Sequence, residues 1–336
     1  VLVVPAVFLL VWSRATSGER PRLCPSILLP AAVLFLLGLS VYAYLPAAAW
    51  RRPPVNWGNP QTWDGFVWLV TAEPYQHLAF GVSLADIPVR STYWANLLGD
   101  QFGWWGLVLA LLGVWWGWKR ERRIVAFSFL WMILVVIYSF WYNTDDSYVY
   151  LIPVFLLLAV WWAMGAQYLL DLTNASRSGW RRVVLVAVLA LPIASLALHW
   201  QAADLSDDRT AHAYVDRILQ DVGPGGLVIV RGDRPTFALW YGVYAEGQRL
   251  DTAVVNAPLL AYAWYRDNVR HLYPGLALNE PAVPETSADE MVRSLIEENL
   301  EWRPVYATDP SETWNHWFDF GQEGETELYR VRRRNR

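Results

Sequence analysis

The sequence predicts a polytopic α-helical membrane protein with a soluble α/β domain at its C-terminal end. Of the 336 residues, 55% are hydrophobic and only 17% are charged, against about 25% charged in an ordinary soluble domain. Residues 1–200 carry 13 basic and 9 acidic residues, whereas residues 201–336 carry 14 and 22. A weakly basic, apolar part followed by an acidic, polar part indicates two segments in different solvents.

Apolar runs of near membrane-spanning length recur through the first part, and about 20 such residues cross the hydrocarbon core. The predicted spans are 1–12, 27–49, 103–118, 124–142, 148–170 and 183–200. The first run begins at Val1 without a basic region or a cleavage motif, so we interpret it as the end of a span in an N-terminally truncated chain. Buried helices of a large soluble protein are the weaker alternative, because so many uncharged runs leave too little polar surface.

The loops between these spans alternate in charge. The basic loops are 13–26, 119–123 and 171–182. Segments 50–102 and 143–147 contain only three basic residues, Arg51, Arg52 and Arg90. Because basic loops stay in the cytoplasm, these two segments and everything after Trp200 are predicted to face outward. We therefore expect an integral membrane protein with an extracytoplasmic C-terminal domain.

The outer segment 50–102 and the C-terminal part both have structure of their own. In 50–102, apolar residues at three- and four-residue spacing indicate short amphipathic helices, which either lie in the membrane interface or fold onto the protein itself. In residues 201–336, helical and strand patterns alternate, which predicts a small, mostly parallel sheet. The predicted strands are 227–230, 252–256, 305–308 and 327–331, and the predicted helices are 211–220, 237–244, 259–272 and 288–300. Residues 332–336 are interpreted as a solvated basic tail.

Common signatures of soluble enzymes do not occur in the sequence. It has no Walker loop, dinucleotide fingerprint, HExxH or GxSxG motif. The five histidines show no metal-ligand spacing, and Cys24 is the only cysteine, so an intramolecular disulfide is excluded. The glycines at 223–226 precede a strand and indicate a helix end. Nothing in the sequence predicts a nucleic-acid partner.

Three polar motifs remain as candidate sites. The first runs from Arg51 to Pro60, just outside the second span. Guanidinium groups bind phosphate in a bidentate manner, and the candidate ligand-binding residues here are Arg51, Arg52, Asn56, Trp57 and Asn59. The alternative is a structured turn whose asparagines satisfy its own backbone and whose arginines extend to the membrane interface.

The second motif is the short outer turn from Asn143 to Ser147. Adjacent Asp145 and Asp146 at the membrane face suit a base or a divalent-cation site, and the alternative is that they cap the following helix. The third motif runs from Arg231 to Pro235, directly after a predicted strand. Ligands bind at the carboxyl ends of parallel strands, but a structural turn is the favoured interpretation of this motif.

Together these motifs resemble a known family. The resemblance rests on residues 44–46, 54–62, 66, 75, 146–153, 227–233, 237–241, 249–256 and 264–265. It is to a bacterial transmembrane family of unknown function that is similar to the animal transmembrane protein O-mannosyltransferase and belongs with the GT-C glycosyltransferases.

The resemblance implies a GT-C-like fold in a bacterial plasma membrane. It also implies the transfer of a sugar, a hexose in the related enzyme, from a polyprenyl-phosphate donor. The acceptor is then a protein or glycan outside the cytoplasm. The catalytic carboxylate of that class is expected in a loop upstream of Val1. Two alternatives remain open. A transporter of a lipid-linked solute should have polar residues inside its spans, and these spans have almost none. The other alternative is a non-catalytic membrane anchor that presents the α/β domain to a partner.

Overall fold

The structure, a computed structural model, describes residues 25–173, 178–280 and 286–334. Five helical stretches within these ranges are long and apolar enough to cross a membrane. They are Ala32–Ala49, Leu84–Arg120, Arg122–Trp141, Ser147–Thr173 and Gly179–Ala203. The five predicted spans from 27–49 to 183–200 are therefore confirmed as helices, and the predicted span 1–12 lies outside the described residues.

The chain divides into two compact units, which are considered separately. One comprises Val1–Gly38 and Ala72–Leu205, and the other comprises Leu39–Thr71 and Ser206–Arg336. The helices up to residue 205 are α1 (Pro25–Ser40), α2 (Tyr44–Ala49), α3 (Trp63–Val70), α4 (Ile87–Arg120), α5 (Arg122–Trp141), α6 (Ile152–Thr173) and α7 (Ser178–Ala203). Short 3-10 helices join them at Val41–Ala43, Glu73–Leu78, Leu84–Asp86 and Ser147–Leu151.

Helix α4 is longer than the sequence predicted. It begins at Ile87, and Gly103, with φ 63° and ψ 155°, interrupts the helical conformation partway along it. The sequence pattern placed residues up to 102 in the outer segment because the apolar run becomes continuous only after that point. A positive φ is accessible to glycine at no steric cost, so the kink occurs where the sequence allows it.

Two glycines let α4 and α6 pack closely. A Cβ atom on Gly113 would overlap the backbone carbonyl of Trp161, and one on Gly165 would overlap the carbonyl of Leu109. Small residues at such a crossing let backbones approach within the membrane, where helices associate through packing and interhelical hydrogen bonds. The indole N–H of Trp161 also donates to Ser128 Oγ of α5, 2.8 Å away. These contacts fix the core of this unit.

The C-terminal domain contains a five-stranded mixed sheet flanked by helices. Its strands are β1 (Leu227–Val230), β2 (Ala253–Asn256), β3 (Val305–Ala307), β4 (Phe318–Glu323) and β5 (Leu328–Arg333), and its α-helices are α8 (Thr210–Asp221), α9 (Asp233–Trp240), α10 (Ala263–Leu272) and α11 (Ala288–Asn299). The strand order is β2-β1-β3-β5-β4. Strands β2, β1 and β3 are parallel, and the pairs β3–β5 and β5–β4 are antiparallel.

Two sequence expectations for this sheet need correction. The sheet is mixed rather than mostly parallel, because β5 runs antiparallel to β3 and to β4, a strand that the sequence pattern did not reveal. The predicted basic tail is partly strand, since Arg332 and Arg333 pair with Asp319 and Phe318 of β4. Arg333 also lies 2.5 Å from a Glu301 carboxylate oxygen. The side chains of Arg332 and Arg333 are exposed, as predicted for a solvated tail, but their backbone belongs to the sheet.

Candidate functional site

The turn that follows α2 carries the two outer arginines. The amides of Arg51 and Arg52 donate to the carbonyls of Ala48 and Ala49, which continues the helix by one turn. Arg52 then adopts a left-handed conformation with φ 45°. Both side chains are exposed, and within the described ranges neither guanidinium group has a hydrogen bond or ion pair. Two cations at the end of an apolar helix are therefore available to an anionic group.

Residues Asn56 to Asn59 form a rigid turn beyond these arginines. The Asn56 side-chain amide is only 7% exposed and donates to Asn59 Oδ1 at 2.9 Å. Gly58 has φ 70°, and a Cβ atom there would lie 3.0 Å from Cζ3 of Trp68. Asn59 is also left-handed, with φ 40°. The Asn56 amide group is thus used inside the turn, by the side chain of Asn59 rather than by the backbone.

Trp57 packs against the α/β domain, which belongs to the same compact unit. Its ring centroid lies 5.6 Å from that of Trp264 and 6.5 Å from that of Phe237. Trp68 of α3 adds contacts to Trp264, at 6.3 Å, and to Tyr262, at 5.8 Å. Aromatic pairs at these separations stabilise beyond the area they bury. This aromatic cluster attaches the turn from Asn56 to Asn59 to the domain.

The acidic turn lies in the other compact unit, where Arg90 holds it. Nη2 of Arg90 lies 2.6 Å from the carbonyl oxygen of Tyr142 and 3.3 Å from that of Thr144, and it also contacts Ser147 Oγ. The amide of Asn143 donates to the carbonyl of Leu78 at 2.9 Å. The sequence offered one signal for this role, because Arg90 is one of only three basic residues in segments 50–102 and 143–147.

Asp145 and Asp146 are both exposed at this turn. Asp146 occupies the N-cap position of the 3-10 helix Ser147–Leu151, but its side chain makes no capping hydrogen bond. The capping role considered for it is therefore not observed. Among the described residues, no group of three or more His, Cys, Asp or Glu side chains is arranged to hold a metal ion.

The structure thus groups five of the seven candidate residues in one turn. Arg51, Arg52, Asn56, Trp57 and Asn59 lie within nine positions of each other, whereas the two aspartates belong to the other unit. Sequence reasoning missed Asn268, whose side-chain amide donates to the carbonyl of Pro54 in this turn. No local pattern marks such a contact, because Asn268 lies within an ordinary amphipathic helix.

Comparison with known proteins gives two similarities. Residues 211–315 match the family model described as TMEM260-associated domain 2. Over 304 residues the chain is 22% identical to the mouse Protein O-mannosyl-transferase TMEM260, which covers 82% of this chain and 42% of that protein. The chain therefore spans less than half the length of this relative. Comparison with solved structures finds no significant match. The protein is thus an integral membrane protein similar, over most of its length, to a protein O-mannosyltransferase.

Proposed function

We propose that this chain works as a membrane glycosyltransferase of the GT-C type. It transfers a sugar, a hexose by analogy with the relative, from a polyprenyl-phosphate donor to a protein or glycan acceptor on the extracytoplasmic side. The observation that carries this proposal is the similarity to an O-mannosyltransferase along 82% of the chain, through both the membrane spans and the α/β domain.

The arginine pair supports a role in binding the donor phosphate. Arg51 and Arg52 are exposed and follow a helix that is apolar enough to cross a membrane. A lipid-linked donor presents its phosphate at such a membrane face, and arginine forms charge-assisted, bidentate hydrogen bonds with phosphate. A hydrogen bond between Asn56 and Asn59 closes the turn beside this pair, and a preorganised backbone lowers the entropic cost of binding.

The acidic turn supports a second role in the same reaction. Asp145 and Asp146 present exposed carboxylates on a turn that Arg90 fixes through backbone carbonyls. We assign these carboxylates to supporting the reaction site or to holding a divalent cation. Substitution of both aspartates by asparagine should then reduce transfer and change its response to added magnesium or manganese.

The test is mass spectrometry of cell-envelope glycoproteins and glycolipids, with and without the gene that encodes this chain. Loss of one hexose from a defined set of acceptors on deletion, restored by the wild-type gene, is the expected result. A gene with Arg51→Ala and Arg52→Ala together should restore it poorly, and one with Arg334→Ala should restore it fully. An unchanged glycan profile after deletion would reject the transferase and favour the anchor or transporter alternatives.

A further inference from the structure

The motif from Arg231 to Pro235 lies at a special position in the sheet. Strand β1 has β2 on one side and β3 on the other, and all three run parallel. The chain leaves β1 toward β2, whereas it leaves β3 toward the opposite edge, where β5 and β4 lie. The carboxyl ends of β1 and β3 therefore form a topological switch point, where open α/β sheets bind ligands.

A cleft of about 890 Å³ opens at this point. Arg231 and Arg234 enter it from the residues after β1, and Thr308 and Asp309 enter it directly after β3. The amide of Thr308 donates to the carbonyl of Ile229 at 3.1 Å, which extends the ladder and holds the two strand ends side by side. Volumes of this size accommodate small-molecule ligands.

The charges that line the cleft nearly balance. Three guanidinium groups come from Arg217, Arg231 and Arg234. Four carboxylates come from Asp208, Asp309, Glu325 and Glu327. Arg231 and Asp309 pair with each other at 3.9 Å. An anionic ligand would meet the carboxylates, and an apolar ligand would remove the remaining charged groups from water without offering them a partner. The lining instead supplies strong hydrogen-bond donors and acceptors together, which matches hydroxyl groups, since each hydroxyl both donates and accepts.

Two neutral hydroxyls lie deeper in the cleft. The Thr308 side chain is only 7% exposed, and its Oγ1 lies beside the hydroxyl of Tyr214 without forming a hydrogen bond of normal geometry to any described residue. Burial raises the pKa of Tyr214 to about 12, with the charge of Glu327 adding to the effect and Thr308 opposing it. The phenol therefore stays protonated and able to donate. A buried hydroxyl whose hydrogen bonding is incomplete costs free energy that a ligand can recover.

The strands at the cleft argue against an extended peptide as the ligand. Peptides that bind sheets usually add a strand to a free edge. Strand β1 is paired on both sides, and β3 is paired with β1 and β5. Apolar lining from Ala211, Ile218, Pro235 and Ala238 provides a surface for the C–H faces of a sugar ring instead.

We propose that this cleft is a binding site for a neutral, polyhydroxylated ligand, namely an oligosaccharide. Arg234 and Asp309 bind hydroxyls at its mouth, and Thr308 and Tyr214 bind a hydroxyl at its base. The inference does not depend on sugar transfer, because binding needs no donor and no reaction.

The experiment uses the full chain in detergent micelles, labelled with a fluorophore, on an array of neutral, sialylated and phosphorylated oligosaccharides. The best neutral trisaccharide is then titrated by calorimetry. We expect binding to neutral glycans and at least a tenfold weaker Kd with Arg234→Ala, whose side chain is exposed, and with the nearly isosteric Thr308→Val. Arg293→Ala, on the exposed face of α11, is the matched control and should bind as the wild type does. Melting temperatures of all three variants verify folding.

Three results would overturn the inference. One is the absence of binding to any neutral glycan, and another is binding confined to sialylated or phosphorylated glycans or displaced by inorganic phosphate. The third is an affinity that Arg234→Ala and Thr308→Val leave unchanged in folded protein. None of these outcomes bears on sugar transfer in cells, so failure here and failure of the proposed reaction are distinguishable.

Discussion

The side-chain amide of Asn268 donates a hydrogen bond to the backbone carbonyl of Pro54, 2.8 Å away and 214 positions earlier in the chain. Asn268 is only 7% exposed and sits on α10 of the α/β domain. Pro54 lies between the arginine pair and Trp57, whose indole packs on Trp264. The segment from Pro54 to Asn59 is therefore attached to the domain by one part-buried hydrogen bond and an aromatic contact.

Substitution Asn268→Ala should loosen this attachment. A hydrogen bond of this kind contributes about 0.5–1.5 kcal/mol, so its loss should quicken hydrogen exchange in residues 54–59 and lower the melting temperature. Asn315→Ala is the matched control, because the Asn315 side chain is exposed and should change neither quantity. Equal exchange rates in the two variants would show that aromatic packing alone holds the turn.

One added methyl group at the crossing of α4 and α6 should strongly destabilise the folded protein. Gly113→Ala and Gly165→Ala each place a Cβ atom inside the space of a backbone carbonyl, so the helices must separate, at a cost of about 1–3 kcal/mol or more. We expect a melting temperature several degrees lower in detergent. Gly179→Ala should be neutral, since a Cβ atom there meets nothing within 4 Å. A wild-type melting temperature for Gly113→Ala would contradict the close crossing.

The environment of Asp251 predicts that part of the free energy of unfolding is lost in acid. A hydrogen bond from Arg249, a second from the amide of Gly225 and the nearby positive charge lower its pKa from 3.8 to about 2. Since the folded-state pKa is lower, the stabilisation is complete above pH 3.8 and is lost as the pH falls toward 2. The side chain is 45% exposed, so solvent screening keeps the gain below about 1 kcal/mol.

The variant Asp251→Asn should therefore be less stable than the wild type at pH 6, and the difference should shrink between pH 4 and pH 2. Urea unfolding of both proteins across this range measures it. The comparison variant is Asp319→Asn, because Asp319 is exposed; it should run parallel to the wild type. A difference between Asp251→Asn and the wild type that stays constant down to pH 2 would contradict the pKa assignment.

The arginine pair predicts a defect in donor use. Arg51→Ala or Arg52→Ala should lower kcat/KM for a polyprenyl-phosphate hexose by about 10- to 100-fold, equivalent to the loss of one charge-assisted hydrogen bond of about 1.5–3 kcal/mol. Arg52→Gly is the informative companion, because glycine adopts φ 45° without strain. If Arg52→Gly restores activity that Arg52→Ala loses, the position matters for backbone conformation rather than for phosphate.

The predicted orientation can be tested with the single native cysteine. Cys24 lies in the predicted cytoplasmic loop 13–26, so an impermeant thiol reagent should label it only after the membrane is permeabilised. In a Cys24→Ser background, Asp207→Cys, at an exposed position before α8, should be labelled in intact cells. The reverse labelling pattern would place the α/β domain in the cytoplasm and exclude an extracytoplasmic acceptor for it.

Local patterns in the sequence determined the helices and most strands. Charge-free apolar runs predicted the five described spans, because a helix satisfies its backbone polar groups within a single segment that crosses the bilayer. The buried strands at 227–230 and 252–256 were predicted from their β-branched residues. The edge strand β4 was not predicted, since Phe318–Glu323 contains Gly321 and is buried mainly at one end, so its apolar signal is weak.

Only the tertiary structure decided which distant residues meet. The partners of Pro54 and of the acidic turn are Asn268 and Arg90, which lie far away in sequence and belong to unremarkable helices. The cleft at the ends of β1 and β3 depends on the order of the strands, which no local pattern specifies. Periodicity records how a segment faces its solvent, whereas a site requires side chains from several segments to converge, and that convergence is a property of the folded chain.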